Sequence, residues 1–296
     1  MTEHILRSGD WEARVAACGA ELHALRHGNL DLLWDAGPLW PRHAPLLFPV
    51  VGGLKSDRLR HQGAAYPMPK HGFARDLAFA WTATSEAACS LVLEDSPATR
   101  AAYPWPFRLQ VSYALFPAGL RMEIELRNPG RENLPASLGL HPAFRWPLVP
   151  GAPRAAHSLR FDLDEPGPLR RLDGMGLLRS TPLPTPIRNR RIQLDEGLFQ
   201  DDALIFLEPR SRALRFETED GPALDLRWEG FPHLGIWTKP DPASGFLCIE
   251  PWEGYASPED WDGEFCEKPG TFILEPGTSR HWSLSLALIR RGDQAG

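Results

Sequence analysis

The chain lacks most of the usual signs of cofactor chemistry. It has no GxGxxG loop, no Walker A loop and no HExxH pair, so no nucleotide, phosphate-cradling loop or helical zinc site is legible, and no cofactor is expected. Its four cysteines, Cys18, Cys89, Cys248 and Cys266, show no CxxC or other metal-ligand spacing. So few in 296 residues do not make a disulfide scaffold and read as free thiols in a reducing compartment. No apolar run approaches the length of a membrane span, and Met1-Thr2-Glu3-His4 does not begin a basic-then-apolar leader. The expected location is the cytoplasm, with no membrane partner. An excess of base is also missing: 32 Lys and Arg are scattered among 38 Asp and Glu, giving a net charge of -6. The densest basic run, Arg188-Asn189-Arg190-Arg191, is short, which argues against a nucleic-acid partner.

Long amphipathic helices are absent as well, and 30 prolines and 26 glycines break what helical pattern there is. The readable periodicity is two. Phe107, Leu109, Val111 and Tyr113 alternate with polar residues, as do Leu120, Met122, Ile124 and Leu126, and Phe116-Pro117-Ala118-Gly119 links the two runs as a hairpin. Glu219-Asp220-Gly221-Pro222 marks a second hairpin, and Trp282, Leu284, Leu286 and Leu288 give a further strand. The best helical candidate is short: Ser257 as N-cap with Pro258 at the first position of a turn through Trp261. Many strands without βα alternation predict an all-β sandwich or barrel with few short helices. The proline-rich stretch 145–186 reads as edge loops and short strands, because Leu159, Phe161 and Leu163 alternate within it. One domain over 1–296 is the expectation.

Three short motifs carry ionisable groups beside glycine, proline and aromatics. They are Pro69-Lys70-His71-Gly72-Phe73-Ala74-Arg75-Asp76, Leu140-His141-Pro142-Ala143-Phe144 and Cys248-Ile249-Glu250-Pro251-Trp252. His and Glu can give and take protons near neutral pH without a cofactor. Glu250 ends an apolar run before a proline, which predicts a strand leaving its sheet at a rim. Its apolar neighbours would raise its pKa and make it a useful base. The plainer alternative is a surface glutamate at a strand end. His141 shows the same local grammar, with a core histidine bonded to a carbonyl as its alternative. Gly139 leaves room for a ligand or a neighbouring backbone. His71 reads either as part of the same site or as a loop histidine, and Arg75-Asp76 as a simple ion pair. His43, His61, His157, His233 and His281 lack such surroundings and read as structural or exposed. Of 11 tryptophans, Trp105, Trp237 and Trp252 are placed near a pocket, since indole rings suit the C–H faces of sugars; most of the rest fill the core.

Taken together, these motifs resemble the aldose 1-epimerase (mutarotase) family, in particular its LacX-like branch. The resemblance runs from Leu47-Phe48-Pro49-Val50-Val51-Gly52 through the His71, His141, Asp201-Asp202-Ala203-Leu204-Ile205-Phe206 and Ile236-Trp237-Thr238-Lys239 segments to Glu250. It implies a large antiparallel β-supersandwich with a carbohydrate cleft on one sheet. It further implies Glu250 as the base at the anomeric hydroxyl and His141 as the acid at the ring oxygen. His71 and Asp202 match family positions that hold substrate hydroxyls. The family usually has an Arg after the glycine of its Phe-Pro-x-x-Gly motif; here that residue is Gly53, and Lys55 or Arg75 is the candidate replacement. Trp252 completes the expected substrate-binding set. The expected partner is a small-molecule sugar, phosphorylated or not, bound by a monomer or homodimer.

Three other readings use the same residues. Two histidines and a glutamate can form a facial metal triad, although the close His-x-Asp/Glu spacing is absent. A glycosidase would pair Glu250 with Glu253, Asp202 or Asp76. A module that binds sugar without turning it over is the third, given Gly53.

Overall fold

The computed structural model describes residues 2–219 and 221–290. It is an all-β fold of the supersandwich type, in which every strand pair is antiparallel. Nine strands form the larger sheet, in which Ser279–Ile289 lies between Ala223–Glu229 and Gly119–Arg127. The second large sheet has seven strands and is centred on His233–Trp237 and Phe246–Glu253. A four-stranded sheet is built from Glu3–Ser8, Trp11–Ala16, Leu22–His27 and Leu30–Asp31.

The period-two runs become strands as read. Arg108–Phe116 and Gly119–Arg127 pair as a hairpin from Arg108↔Arg127 to Phe116↔Gly119. Leu109, Val111, Leu120, Ile124 and Leu126 face inward because only one side of the sheet is covered. Ala213–Thr218 and Ala223–Glu229 form the second hairpin, although Asp220 of its turn lies outside the described residues. One hydrophobic cluster draws on each of these three sheets, joining Leu6 and Trp11, Leu109 and Val111, and Leu247 and Ile249.

Two local expectations need correction. Pro258–Trp261 forms a turn closed by Trp261 N–H donating to the Pro258 carbonyl, and Leu178 bridges Pro258 in strand fashion. Among the described residues the α-helix is instead Pro97–Arg100, which has a Ser96 capping box and proline at its start. In the proline-rich stretch Leu159 and Phe161 are buried on a short strand, but Leu163 falls beyond that strand and is exposed.

Candidate active site

The site begins with a break in a strand ladder. Phe246–Glu253 is buried along its whole length, flanked on one side by His233–Trp237. On the other side Ala143–Arg145 pairs with its first part and Leu138–Leu140 with its last. The register is the same in both: Ala143 faces Cys248 and Gly139 faces Trp252. Continuing it through the gap sets His141 opposite Glu250. Pro142 and Pro251 have no N–H to offer a ladder, which is why pairing lapses there. His141 N–H turns to the Pro45 carbonyl at 3.1 Å instead. Glu250 therefore sits mid-strand, not at a strand end as its proline suggested. It belongs to the face of Phe246, Cys248 and Trp252, while Leu247 and Ile249 point into the main core.

Cross-strand neighbours are close by construction. His141 Nε2 lies 3.1 Å from Glu250 Oε2. The contact is not an aligned hydrogen bond, since Glu250 Oε2 and His141 Nδ1 are both buried without a hydrogen-bond partner among the described residues. The His141 ring is stacked on Trp40 at 5.1 Å and meets Trp237 edge-on at 5.9 Å. Trp40 stacks in turn on Phe246. Glycine makes room for the last indole: a Cβ on Gly235, opposite Glu250, would lie 2.3 Å from the Trp252 ring, and one on Gly139 would lie 2.6 Å from it. Gly139 thus serves a neighbouring side chain.

This setting separates the two groups' proton affinities. Burial pushes the Glu250 carboxyl well above its usual range, with Lys70 opposing and Asp202 adding to the rise. Burial pulls His141 down to about 3, with nearby Lys70 and Arg75 working the same way. Ionising either group alone inside the aromatic slot is costly, which favours the form in which the pair holds one proton between them.

His71 enters on a tight loop and has φ of 70°. Its N–H donates to the Gly52 carbonyl at 2.9 Å, and its Nδ1 accepts from Gly52 N–H at 3.1 Å. The next residue must be glycine: φ is 72° at Gly72, and a Cβ would stand 2.2 Å from the Phe48 carbonyl oxygen. Burial, then the neighbouring His141 imidazole and the charges of Lys70, Arg75 and Arg42, push the His71 imidazole well below its usual pKa. With Nδ1 accepting, Nε2 carries the hydrogen and is a donor, 5.7 Å between ring centres from His141.

A cavity of about 240 Å³ unites these groups, lined by Trp40, Arg42, Lys70, His71, Arg75, His141, Asp202, Trp237, Glu250 and Trp252, among others. Four of its residues, Arg75, His141, Glu250 and Trp252, have buried side-chain polar atoms with no partner among the described residues. Buried polar groups are normally paired, so such a concentration marks a place for a polar ligand. Asp202 lines the cavity from a turn with φ of 68°, its carboxylate accepting from Ala203 N–H. Buried Arg171 braces that turn by donating to the carbonyls of Leu198, Asp201 and Asp202.

Other expected residues fall elsewhere. Lys55 is not on the cavity wall; its ammonium reaches the Glu259 carbonyl at 3.4 Å, because the 55–57 turn points it toward the 258–261 turn. Trp105 is in the core against Tyr103, His61 and Phe265. Glu253 faces away, bonded to Arg280 and Trp282, and Asp76 is paired with Arg42. That leaves Glu250 and Asp202 as the cavity's carboxylates. The metal-ligating atoms that converge here are those of His141, Cys248 and Glu250, while the Nδ1 of His71 is spent on Gly52. Burial holds the Cys248 thiol well above its usual pKa. Sequence reasoning missed Trp40, Arg42 and Arg171, which carry no motif; Lys70 had a signal in its adjacency to His71.

A model of the aldose 1-epimerase family matches residues 4–286. The chain belongs to the aldose 1-epimerase family. Among curated relatives, the plasmid-encoded Protein LacX of Lactococcus lactis subsp. lactis is 28% identical over 274 residues, covering 88% of this chain and 91% of LacX. A galactose mutarotase related enzyme from Lactobacillus acidophilus superposes with a TM-score of 0.88 at 28% identity, over 97% of each chain. A galactose mutarotase-like protein from Lactobacillus casei gives a TM-score of 0.89 at 26% identity, over 97% of this chain and 99% of that one. The aldose 1-epimerase family's usual Arg position is open here. A Cβ on Gly53 would meet only the Gly176 carbonyl oxygen, at 3.6 Å, so absence of the Arg is not forced by crowding. The cations that line the cavity are Arg42, Lys70 and Arg75.

Proposed function

We propose that this protein is an aldose 1-epimerase that interconverts the α and β anomers of an aldohexose or its phosphate. One observation carries the reading: an acid–base pair 3.1 Å apart opens onto a cavity whose polar atoms await partners. Ring opening of a hemiacetal takes a proton from the anomeric hydroxyl and gives one to the ring oxygen. Both oxygens sit on the same carbon, so the two catalysts must be neighbours. Two carboxylates at glycosidase spacing, about 5–9.5 Å, do a different job.

In the opening step Glu250 takes the proton from the anomeric hydroxyl and His141 protonates the ring oxygen. The bond between the anomeric carbon and the ring oxygen breaks, and a free aldehyde forms. Rotation about the adjoining C–C bond presents either carbonyl face. Reclosure returns both protons by the same groups in exchanged roles. The pair's single proton has to sit on His141 for opening, a transfer across 3.1 Å with no net change of charge. Hydrogen bonds from the sugar's hydroxyls to the pair's unpartnered atoms favour that ionic form. His71 Nε2–H and the Asp202 carboxylate hold ring hydroxyls, and Trp252 and Trp237 supply apolar walls. Each proton-transfer group contributes about 10²–10⁴-fold.

The cation wall of Arg42, Lys70 and Arg75 favours a phosphorylated sugar. Lys70 has no ion-pair partner among the described residues, and its charge acts on both His141 and Glu250. The test follows anomer exchange of glucose, galactose and their 6-phosphates by NMR, for the wild type beside His141→Asn. Acceleration lost in His141→Asn supports the reading. A wild type that binds sugar, seen by Trp fluorescence, without accelerating exchange would make it a binding protein instead.

A further inference from the structure

Away from the cavity, a second group of ligating side chains comes together on the four-stranded sheet. Glu21, His23 and His43 each present a ligand atom, and these atoms lie within 4.8 Å of one another. Glu21 and His23 flank Leu22, the first residue of the Leu22–His27 strand, so both project from the same side. His43 arrives on the loop that carries Trp40 and Arg42. Glu21 Oε1 secures that loop by accepting from His43 N–H and Ala44 N–H, both at 2.8 Å.

This arrangement leaves specific atoms over. Glu21 Oε2 stands 3.7 Å from His23 Nε2, beyond hydrogen-bond range. His23 Nδ1 is engaged by Glu3 Oε1 at 2.9 Å, which places the hydrogen of the neutral ring there. Glu3 and Glu21 favour the protonated ring, so a metal ion would displace the Nε2 hydrogen to use that nitrogen's lone pair on the Glu21 side. A carboxylate on the far nitrogen is the outer support that orients a metal-binding histidine and raises its basicity. The His43 ring is stacked on His23 at 4.3 Å, with its Nδ1 4.0 Å from Glu21 Oε1. The carboxylate is nearly buried, while the His23 and His43 side chains are 26% and 20% exposed, so one side of the group is open to water.

We propose that Glu21, His23 and His43 bind a divalent transition-metal ion of the zinc type, with Glu3 as its outer support. Two imidazoles and one carboxylate suit zinc, nickel or cobalt, with solvent in the remaining position. Calcium and magnesium want an oxygen cage that is not built here. Bonds of about 2.0–2.1 Å require ligand atoms about 3.3 Å apart, so the two half-exposed histidines must close in by roughly an ångström on the fixed carboxylate. The ion would clamp the small sheet to the loop that reaches the sugar cavity. His43 follows Arg42, and two residues on, the Pro45 carbonyl takes the His141 N–H.

The experiment strips the full-length protein with chelator and titrates it with Zn²⁺ against a chromophoric competitor. Wild type is expected to take one equivalent here. His23→Ala and His43→Ala should each weaken it at least tenfold, and Glu3→Gln by about tenfold. His141→Asn should leave it unchanged, which separates this group from His141, Cys248 and Glu250. Far-UV circular dichroism checks each fold, and His23→Gln serves where His23→Ala does not fold. Binding without this dependence, or no stoichiometric Zn²⁺ at all, overturns the proposal.

Discussion

Replacing Glu250 by Gln should make the protein more stable and far less active, with the stability gain growing as pH rises. The change keeps the shape of the side chain and removes only its ability to ionise. Glu250 is 1% exposed, and its carboxyl titrates well above the ordinary 4.5 because burial penalises the anion. A group whose folded pKa is raised gives its full stability below the unfolded value and loses it as pH climbs toward the folded value. Each pH unit within that window costs about 1.4 kcal/mol. Glutamine does not titrate, so its stability does not decline there. The variant and wild type should therefore melt at similar temperatures near pH 5, with the variant ahead at pH 8. Anomer exchange should meanwhile fall by about 10²–10⁴-fold, equivalent to about 2.7–5.4 kcal/mol of barrier. Differential scanning fluorimetry at the two pH values and NMR exchange rates measure both effects. Exchange within tenfold of wild type, or a melting gap that closes as pH rises, refutes the reasoning.

Other outcomes follow from the same geometry. Because His141 titrates near 3 and His71 well below its ordinary value, kcat/KM should show no histidine step near 6.5 and should fall only toward high pH, as the pair loses its proton from the raised Glu250 carboxyl. A histidine titrating near 6.5 in that profile would show that the aromatic slot is wetter than described. Lys70→Met should lower kcat/KM for hexose 6-phosphates about tenfold more than for the free sugars, which lose only the Lys70 charge acting on His141 and Glu250, read by the same exchange assay. Equal loss for both would mean that Lys70 serves no phosphate. Gly72→Ala should cost roughly 2–4 kcal/mol, since it adds positive-φ strain to an overlap with the Phe48 carbonyl. A melting temperature unchanged from wild type would contradict it.

Much of the architecture was legible because it is written in a short period. The alternation of Leu109, Val111, Leu120 and Leu126 with polar residues needs no partner to be read, since a half-covered sheet demands it. Glu250 shows where local reasoning stops. Its proline suggested a strand end, yet the strand runs on to Glu253, because Pro251 lies at the gap that Pro142 opens on the facing strand. Lys55 and Trp105 were misplaced for a similar reason: their neighbours in sequence say nothing of the 258–261 turn or of Tyr103 and Phe265.

Taken alone, the sequence determined the β class, the hairpins and the residue types able to move protons, all of which depend on neighbours a few positions apart. Tertiary structure decided that residues 141 and 250 share one register, that Trp40 seals their slot, and that Arg42 and Lys70 join Arg75 on the wall. Those are pairings between segments tens to hundreds of residues apart. No local pattern encodes them, because they follow from which strands satisfy each other's hydrogen bonds once the core has closed.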